Sequence, residues 1–261
     1  MFGAGKQGRL RRGAALAMGG ALFAGAVACG GGDGGGGGQD DKKPGDQAGA
    51  TASASGPEVL TEAQLTAASF TDGETVGEYT ASEFTLGAPH GDEYAADPAV
   101  CQPLVSLAAD VTDYDLRTEV SRKVGDPGET LGLTVDVQLR SYGDGDAARV
   151  MKDLDKAGEE CADGFSEERA VARGTYLEVE PVEAPAFGAG ADEAEAYRFT
   201  ILDPKRKLEL HEYLTVVRSG SATLSFRADI PGTQDAEDAG GVPQEVLDAQ
   251  WEKFRAATGA H

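Results

Sequence analysis

A nine-residue stretch with strict alternation constrains the fold of this chain more than any other feature. Leu131, Leu133, Val135, Val137 and Leu139 are apolar, and the residues between them are Gly, Thr, Asp and Gln. Successive side chains of a strand point to opposite faces of a sheet. The pattern therefore predicts a strand with one buried face and one solvated face.

Further strand-like stretches follow the same logic. The segments "TYLEV" (175–179) and "EAYRFTI" (195–201) are rich in aromatic and β-branched residues. The segments 208–218 and 222–230 flank a Ser-Gly-Ser turn and predict a hairpin. A further strand is predicted near 76–84. Long alternating strands joined by hairpins predict an antiparallel sheet with one solvated face.

Four helices are predicted. Thr61 and Gln64 form a capping-box pattern at the start of "TEAQLTAASF". Asp97 and Pro98 predict a second helix start, with the acid as the cap and the proline in the first turn. The second helix would place on one face the residues Cys101, Leu104, Val105 and Ala108.

The other two helices carry clear apolar stripes. After a "YGDGD" turn, the stripe consists of Ala147, Val150, Met151, Leu154, Ala157 and Cys161. The last helix begins near Pro243 and contains Trp251, for which core packing is favoured over a ligand-stacking role. We expect these helices to pack on one face of the sheet, which gives the α+β class.

The N-terminus has the features of a secretory signal. Residues 1–28 contain four basic residues and no acid, followed by a short apolar stretch that ends in small residues. The sequence Ala26-Val27-Ala28-Cys29 resembles the lipobox of bacterial lipoproteins. That resemblance implies cleavage before Cys29 and a lipid on its thiol. The alternative is an ordinary signal cut after Ala28, with Cys29 incidental.

The cysteines fit this interpretation. Lipidation of Cys29 leaves Cys101 and Cys161 as a pair in an oxidising compartment, where a disulfide is expected. A catalytic cysteine would need a histidine partner, and the chain has only three histidines. Because both paired cysteines lie on the buried faces of predicted helices, the sequence predicts a disulfide between two helices.

Composition defines the domain organisation and excludes some partners. We expect a signal peptide at 1–28, a lipidated Cys29 with a disordered Gly/Ser-rich tether at 29–57, and a globular domain at 58–261. The chain has 23 basic and 45 acidic residues and a net charge of −22, which argues against nucleic acid as a partner. The acidic stretches lack the spacing of an EF-hand loop, and no metal ligand or cofactor site is assigned.

The order of these elements resembles the extracytoplasmic sensor domain of mycobacterial PknH-type serine/threonine kinases, which also occurs free-standing in actinobacterial lipoproteins. Shared features are the lipobox, the tether, the "LTEAQL" helix, one Cys in each of two helices, the segment Gly188–Arg198 ("GAGADEAEAYR") and a closing helix with "KF". The resemblance covers about residues 58–258. It implies a sheet with helices on one side, a central groove and a binding or sensing role. The kinase domain and the second cysteine pair of some members are absent, and no binding residue carries over.

Three functions follow from these observations. The first is a non-enzymatic lipoprotein on the extracytoplasmic face of the cell membrane, whose domain binds an unknown small ligand or an envelope protein. The second is a lipid or glycolipid carrier, which needs an apolar cavity. The third is an envelope hydrolase, but the sequence has no G-x-S-x-G, H-E-x-x-H or S-x-x-K motif. His211 is predicted within a strand, on the face opposite Leu210 and Leu214, where a solvated or hydrogen-bonded role is favoured over that of a general base.

Overall fold

The structure, a computed structural model, describes residues 58–84, 94–127, 132–169, 172–203, 208–230 and 241–260. Its strands are β1 (Thr75–Val76), β2 (Tyr79–Ser82), β3 (Ala95–Asp97), β4 (Leu116–Gly125), β5 (Thr134–Tyr142), β6 (Phe165–Arg169), β7 (Ala172–Val182), β8 (Glu193–Asp203), β9 (Leu208–Ser219) and β10 (Ala222–Ile230). Its helices are α1 (Glu62–Ala68), a 3-10 turn (Ala99–Cys101), α2 (Gln102–Val105), α3 (Asp146–Glu160) and α4 (Gln244–Thr258). The predicted signal peptide, Cys29 and the tether lie outside the described residues.

The alternating stretch forms β5, a central strand of an antiparallel sheet. The ten described strands have the order β1-β2-β4-β5-β10-β9-β8-β7-β6-β3. Leu139 of β5 lies opposite Val120 of β4 and Leu224 of β10, so apolar side chains meet across three adjacent strands. The α+β class and the antiparallel sheet are confirmed.

Helices cover both faces of this sheet, and here the expectation of a single covered face is wrong. Tyr213 and Val217 of β9 pack in one apolar cluster with α1 and α4. Leu214 and Val216 of the same strand pack in a second cluster with α2 and α3. Because neighbouring strand residues point to opposite faces, each cluster lies on its own side of the sheet.

The error has a physical cause, since the polar sides of β5 and β10 are buried rather than solvated. Their side chains under the α2 segment are nearly inaccessible: Gln138, Arg140, Ser225 and Arg227. Arg140 Nε donates to Glu119 Oε2 at 2.6 Å, and Arg227 forms an ion pair with the buried Glu212. Paired in this way, polar side chains occupy a core without the cost of unsatisfied groups.

The capping predictions had different outcomes. The capping box of α1 is confirmed, since Thr61 N donates to Gln64 Oε1 at 2.8 Å and Gln64 N donates to Thr61 Oγ1 at 3.3 Å. Asp97 does not cap a helix. It lies in β3 opposite Ser166, and the helical turn begins after Pro98 without a side-chain cap. Pairing with β6 therefore takes the acid into the sheet.

The last helix packs through its single tryptophan. Trp251 is buried, stacks on Phe254 at a centroid distance of 5.6 Å and meets Phe187 edge to face at 5.6 Å. Its predicted core role is confirmed. None of the described helices is long and apolar enough to cross a bilayer.

Candidate functional site

The predicted disulfide is present and joins two helical elements. Cys101 ends the 3-10 turn before α2, and Cys161 is the C-cap residue of α3. Their Cα atoms lie 6.0 Å apart, and both residues are buried. The segment that contains α2 is thereby fixed to the C-terminal end of α3.

A groove lies between these elements and the loop that follows α2. We call it the α2–α3 groove, and its volume is about 540 Å³. Its lining residues are Ala99, Val100, Gln102, Pro103, Asp110, Val111, Thr112, Asp113, Tyr114, Asp153 and Lys156. One wall is the α2 segment, a second is the loop 110–114, and the third is the outer side of α3.

The amphipathic pattern of α3 places its polar side chains at the groove. Val150 and Leu154 are fully buried against the sheet, whereas Asp153 and Lys156 line the groove. Tyr114 is buried against Tyr142, and its hydroxyl donates to Asp153 Oδ2 at 3.0 Å. Burial and the Asp153 carboxylate raise the pKa of Tyr114. The hydroxyl thus stays protonated and links the loop to the helix.

Arg149 holds the loop against the first turn of α3. Its guanidinium donates to Asp146 Oδ2 at 2.9 Å, to Asp113 Oδ1 at 2.7 Å and to the Asp113 carbonyl at 2.9 Å. It also lies 4.5 Å from the centroid of the Tyr114 ring. The hydrogen bonds from Arg149 keep the pKa of Asp146 below its usual value. These contacts order one wall of the groove.

His211 lies elsewhere, on an open face of the sheet. It is opposite Thr200 of β8, which is opposite Glu178 of β7, and it points away from the cluster that contains Leu214. Its Nδ1 atom is enclosed and has no hydrogen-bond partner within the described residues.

The groove residues were missed at the sequence level. The sequence patterns assign no role to Asp110, Asp113 or Asp153. The predicted second helix includes Ala108, whereas α2 ends at Val105. Nothing in the sequence of the following loop indicates that it folds beside α3. The stripe of α3 predicts that Asp153 is outside the core, but it does not predict what the residue faces.

Comparisons with known proteins support the fold. No protein-family model matches the chain, and no curated protein matches it in sequence. The extracellular domain of PknH from Mycobacterium tuberculosis matches in structure with a TM-score of 0.50 and 12% identity, over 77% of this chain and all of that domain. A putative uncharacterized protein (Rv0999 ortholog) from Mycobacterium smegmatis matches with a TM-score of 0.32 and 14% identity, over 78% of this chain and 97% of that one. The first match confirms the expected resemblance in fold.

Proposed function

We propose that this chain is an extracytoplasmic lipoprotein that is anchored to the cell membrane through a lipid on Cys29 and binds a small ligand without catalysis in the α2–α3 groove. The lipobox-like sequence supports the anchor. The fold supports the location, because the matched PknH structure is an extracellular domain. The acidic composition is consistent with a domain that stays in solution beside the membrane.

The volume of the groove and the bonds between its walls are the main support for a binding role. Its volume of about 540 Å³ lies within the range of about 300–1,000 Å³ that is typical of small-molecule sites. The Cys101–Cys161 disulfide and the hydrogen bond from Tyr114 to Asp153 connect its walls before any ligand arrives. A preorganised site loses less conformational entropy on binding.

The lining favours binding over catalysis. None of the described lining residues is Ser, Cys or His. Of its carboxylates, Asp113 pairs with Arg149 and Asp153 accepts a hydrogen bond from Tyr114, so both are engaged with side chains of the protein.

The anchor is tested by replacing Cys29 with alanine in the native host. Cys29→Ala is expected to move the protein from the membrane fraction to the medium, since a signal-derived h-region of this length is short for a stable span. Cys101→Ala/Cys161→Ala, which replaces the two disulfide-bonded cysteines, is the control for cysteine replacement and should stay in the membrane fraction. Unchanged membrane association of Cys29→Ala would refute the anchor.

Binding is tested with a library of neutral, cationic and anionic fragments, followed by ligand-observed NMR on the full chain. Val111→Trp places a bulky ring in the groove, and Val182→Trp places the same ring on an exposed position of β7. We expect fragments that bind the wild type and Val182→Trp to be lost from Val111→Trp. Fragments that bind Val111→Trp equally well, or the absence of any bound fragment, would contradict the proposed function.

A further inference from the structure

Apart from Lys156 at the rim, the side-chain donors that line the α2–α3 groove are already bound to the protein. Gln102 Nε2 donates to the carbonyls of Tyr94 and Ser106 at 3.0 and 3.2 Å. Thr112 Oγ1 donates to the Ala108 carbonyl at 2.9 Å. The Tyr114 hydroxyl donates its hydrogen bond to Asp153 Oδ2. None of these groups has a proton left for a ligand.

The acceptors of the groove, in contrast, remain available. Asp110 is exposed and makes no side-chain hydrogen bond or ion pair within the described residues. Asp153 accepts from Tyr114 through one oxygen only, and Asp113 shares its carboxylate with Arg149. Each of these carboxylates has further lone pairs that can accept a hydrogen bond. The lining therefore presents hydrogen-bond acceptors to a ligand that carries hydrogen-bond donors.

Most of the charged side chains that line the groove are acidic. Among the described lining residues, Lys156 is the single basic side chain. It is 60% exposed at the rim, and its Nζ atom lies 3.8 Å from Glu160 Oε1. Three carboxylates, of which Asp113 is paired with Arg149, thus face one partly neutralised ammonium group. The net charge of −22 adds a field that attracts cations and repels anions.

The remaining surface of the groove is apolar. Val100, Pro103 and Val111 line it together with the ring of Tyr114. These side chains contact hydrocarbon favourably but offer no hydrogen bond. A ligand that fits both parts of the groove has a charged donor at one end and an apolar body.

From the side chains that line it, we infer that the α2–α3 groove selects a small organic cation. Such a ligand has an ammonium group attached to an apolar body. The inference rests on the proposed function and adds the chemical class of the ligand. The ammonium donates to the carboxylates of Asp110 and Asp153, and the apolar body lies against Val100, Pro103 and Val111. An anionic ligand of the same shape would meet like charge and, apart from Lys156 at the rim, would find the side-chain donors occupied.

Three probes of similar size and different charge test this selection. They are 2-phenylethylammonium, 2-phenylethanol and phenylacetate, titrated into the full chain by calorimetry at low ionic strength. We expect the ammonium to bind about tenfold more tightly than the alcohol, and the phenylacetate to bind more weakly than both. Equal affinity for the ammonium and the alcohol, or tighter binding of the phenylacetate, would overturn the inference.

Matched variants test which carboxylates bind the ammonium group. Asp110→Asn and Asp153→Asn should each weaken binding of 2-phenylethylammonium by about threefold. An asparagine at position 153 still accepts the hydrogen bond of Tyr114, so the wall of the groove is retained. Asp155→Asn makes the same charge change on the exposed side of α3, outside the groove lining, and should leave the affinity unchanged. An equal loss in Asp155→Asn would show a general field effect and overturn the inference.

The failure of this inference is distinguishable from failure of the proposed function. Suppose that none of the three probes binds, but that fragments of another class bind the wild type and not Val111→Trp. The groove is then a ligand site, and the cation class is wrong. If neither probes nor fragments bind, both the inference and the proposed function are wrong.

Discussion

The Tyr114 hydroxyl and Asp153 Oδ2 lie 3.0 Å apart and join the loop wall of the α2–α3 groove to its helix wall. The ring of Tyr114 is independently held by its edge-to-face contact with Tyr142, at a centroid distance of 6.2 Å. The contributions of the hydroxyl and of the ring to the free energy of unfolding can therefore be measured separately.

Removal of the hydroxyl alone tests this contact. Tyr114→Phe keeps the packed ring and loses one hydrogen bond, so the free energy of unfolding should fall by about 1 kcal/mol. Tyr114→Ala also removes the buried ring and should cost several times more, about 3–5 kcal/mol. Urea denaturation measures both values. A Tyr114→Phe variant as stable as the wild type would show that the contact contributes nothing.

The disulfide should contribute more than any single contact of the groove. Cys101 and Cys161 are 60 residues apart in the chain, and closing such a loop stabilises a folded state by about 4 kcal/mol in the chain-entropy model. We expect Cys101→Ala/Cys161→Ala to show a correspondingly lower midpoint in urea. Reductant should lower the midpoint of the wild type and leave the double variant unchanged. A reductant effect of equal size in both proteins would contradict this assignment.

Asp136 predicts a pH dependence of stability. Burial raises its pKa from 3.8 to about 6, although Arg227 and Lys123 oppose the shift. The folded state then binds the proton more tightly than the unfolded state, so stability falls as the pH rises from about 4 to about 6. Asp136→Asn removes this penalty. It should raise the free energy of unfolding by about 1–3 kcal/mol above pH 6 and have little effect near pH 4.

Thermal unfolding over this pH range measures the effect, with the exposed Glu252→Gln on α4 as a control for charge removal. The control should be nearly neutral at both ends of the range. A destabilised Asp136→Asn at the upper end would mean that the carboxylate is needed as a partner of Arg227.

The buried ion pair of Arg227 and Glu212 predicts an asymmetry between its two partners. Arg227 also donates to the carbonyls of Leu104 and Val105, and Asp136 lies opposite it on β5. Arg227→Met leaves two carboxylates without their cation and should cost about 3–5 kcal/mol. Glu212→Gln should cost less, because Asp136 remains to face the guanidinium. Urea denaturation that ranks the two variants in the reverse order would contradict this arrangement.

Sequence patterns predict the elements of this fold where local physics decides them. The capping box at Thr61 and Gln64, the alternation of β5 and the stripe that ends at Cys161 are examples. The pairing of Cys101 with Cys161 follows from their number and compartment. These features depend on a few neighbouring residues and a known side-chain period.

Features that depend on distant partners are not predicted. β4 has charged residues along its length, and Val120 and Val124 are its buried apolar side chains, so its strand character comes from pairing with β2 and β5. The burial of Arg227 cannot be predicted from its own strand, because its partner Glu212 lies on the neighbouring strand. The groove is hidden for the same reason, since the aperiodic loop at Asp110–Tyr114 is ordered by Arg149 from α3.

The α2–α3 groove is the proposed ligand site. Its most direct test is to locate a bound ligand on the full chain. Amide ¹⁵N–¹H spectra are recorded with and without a saturating fragment from the screen. We predict that shift changes concentrate in residues 99–103, 110–114 and 153–156. Changes that centre instead on the open sheet face around Thr200 and His211, with the groove unaffected, would contradict it.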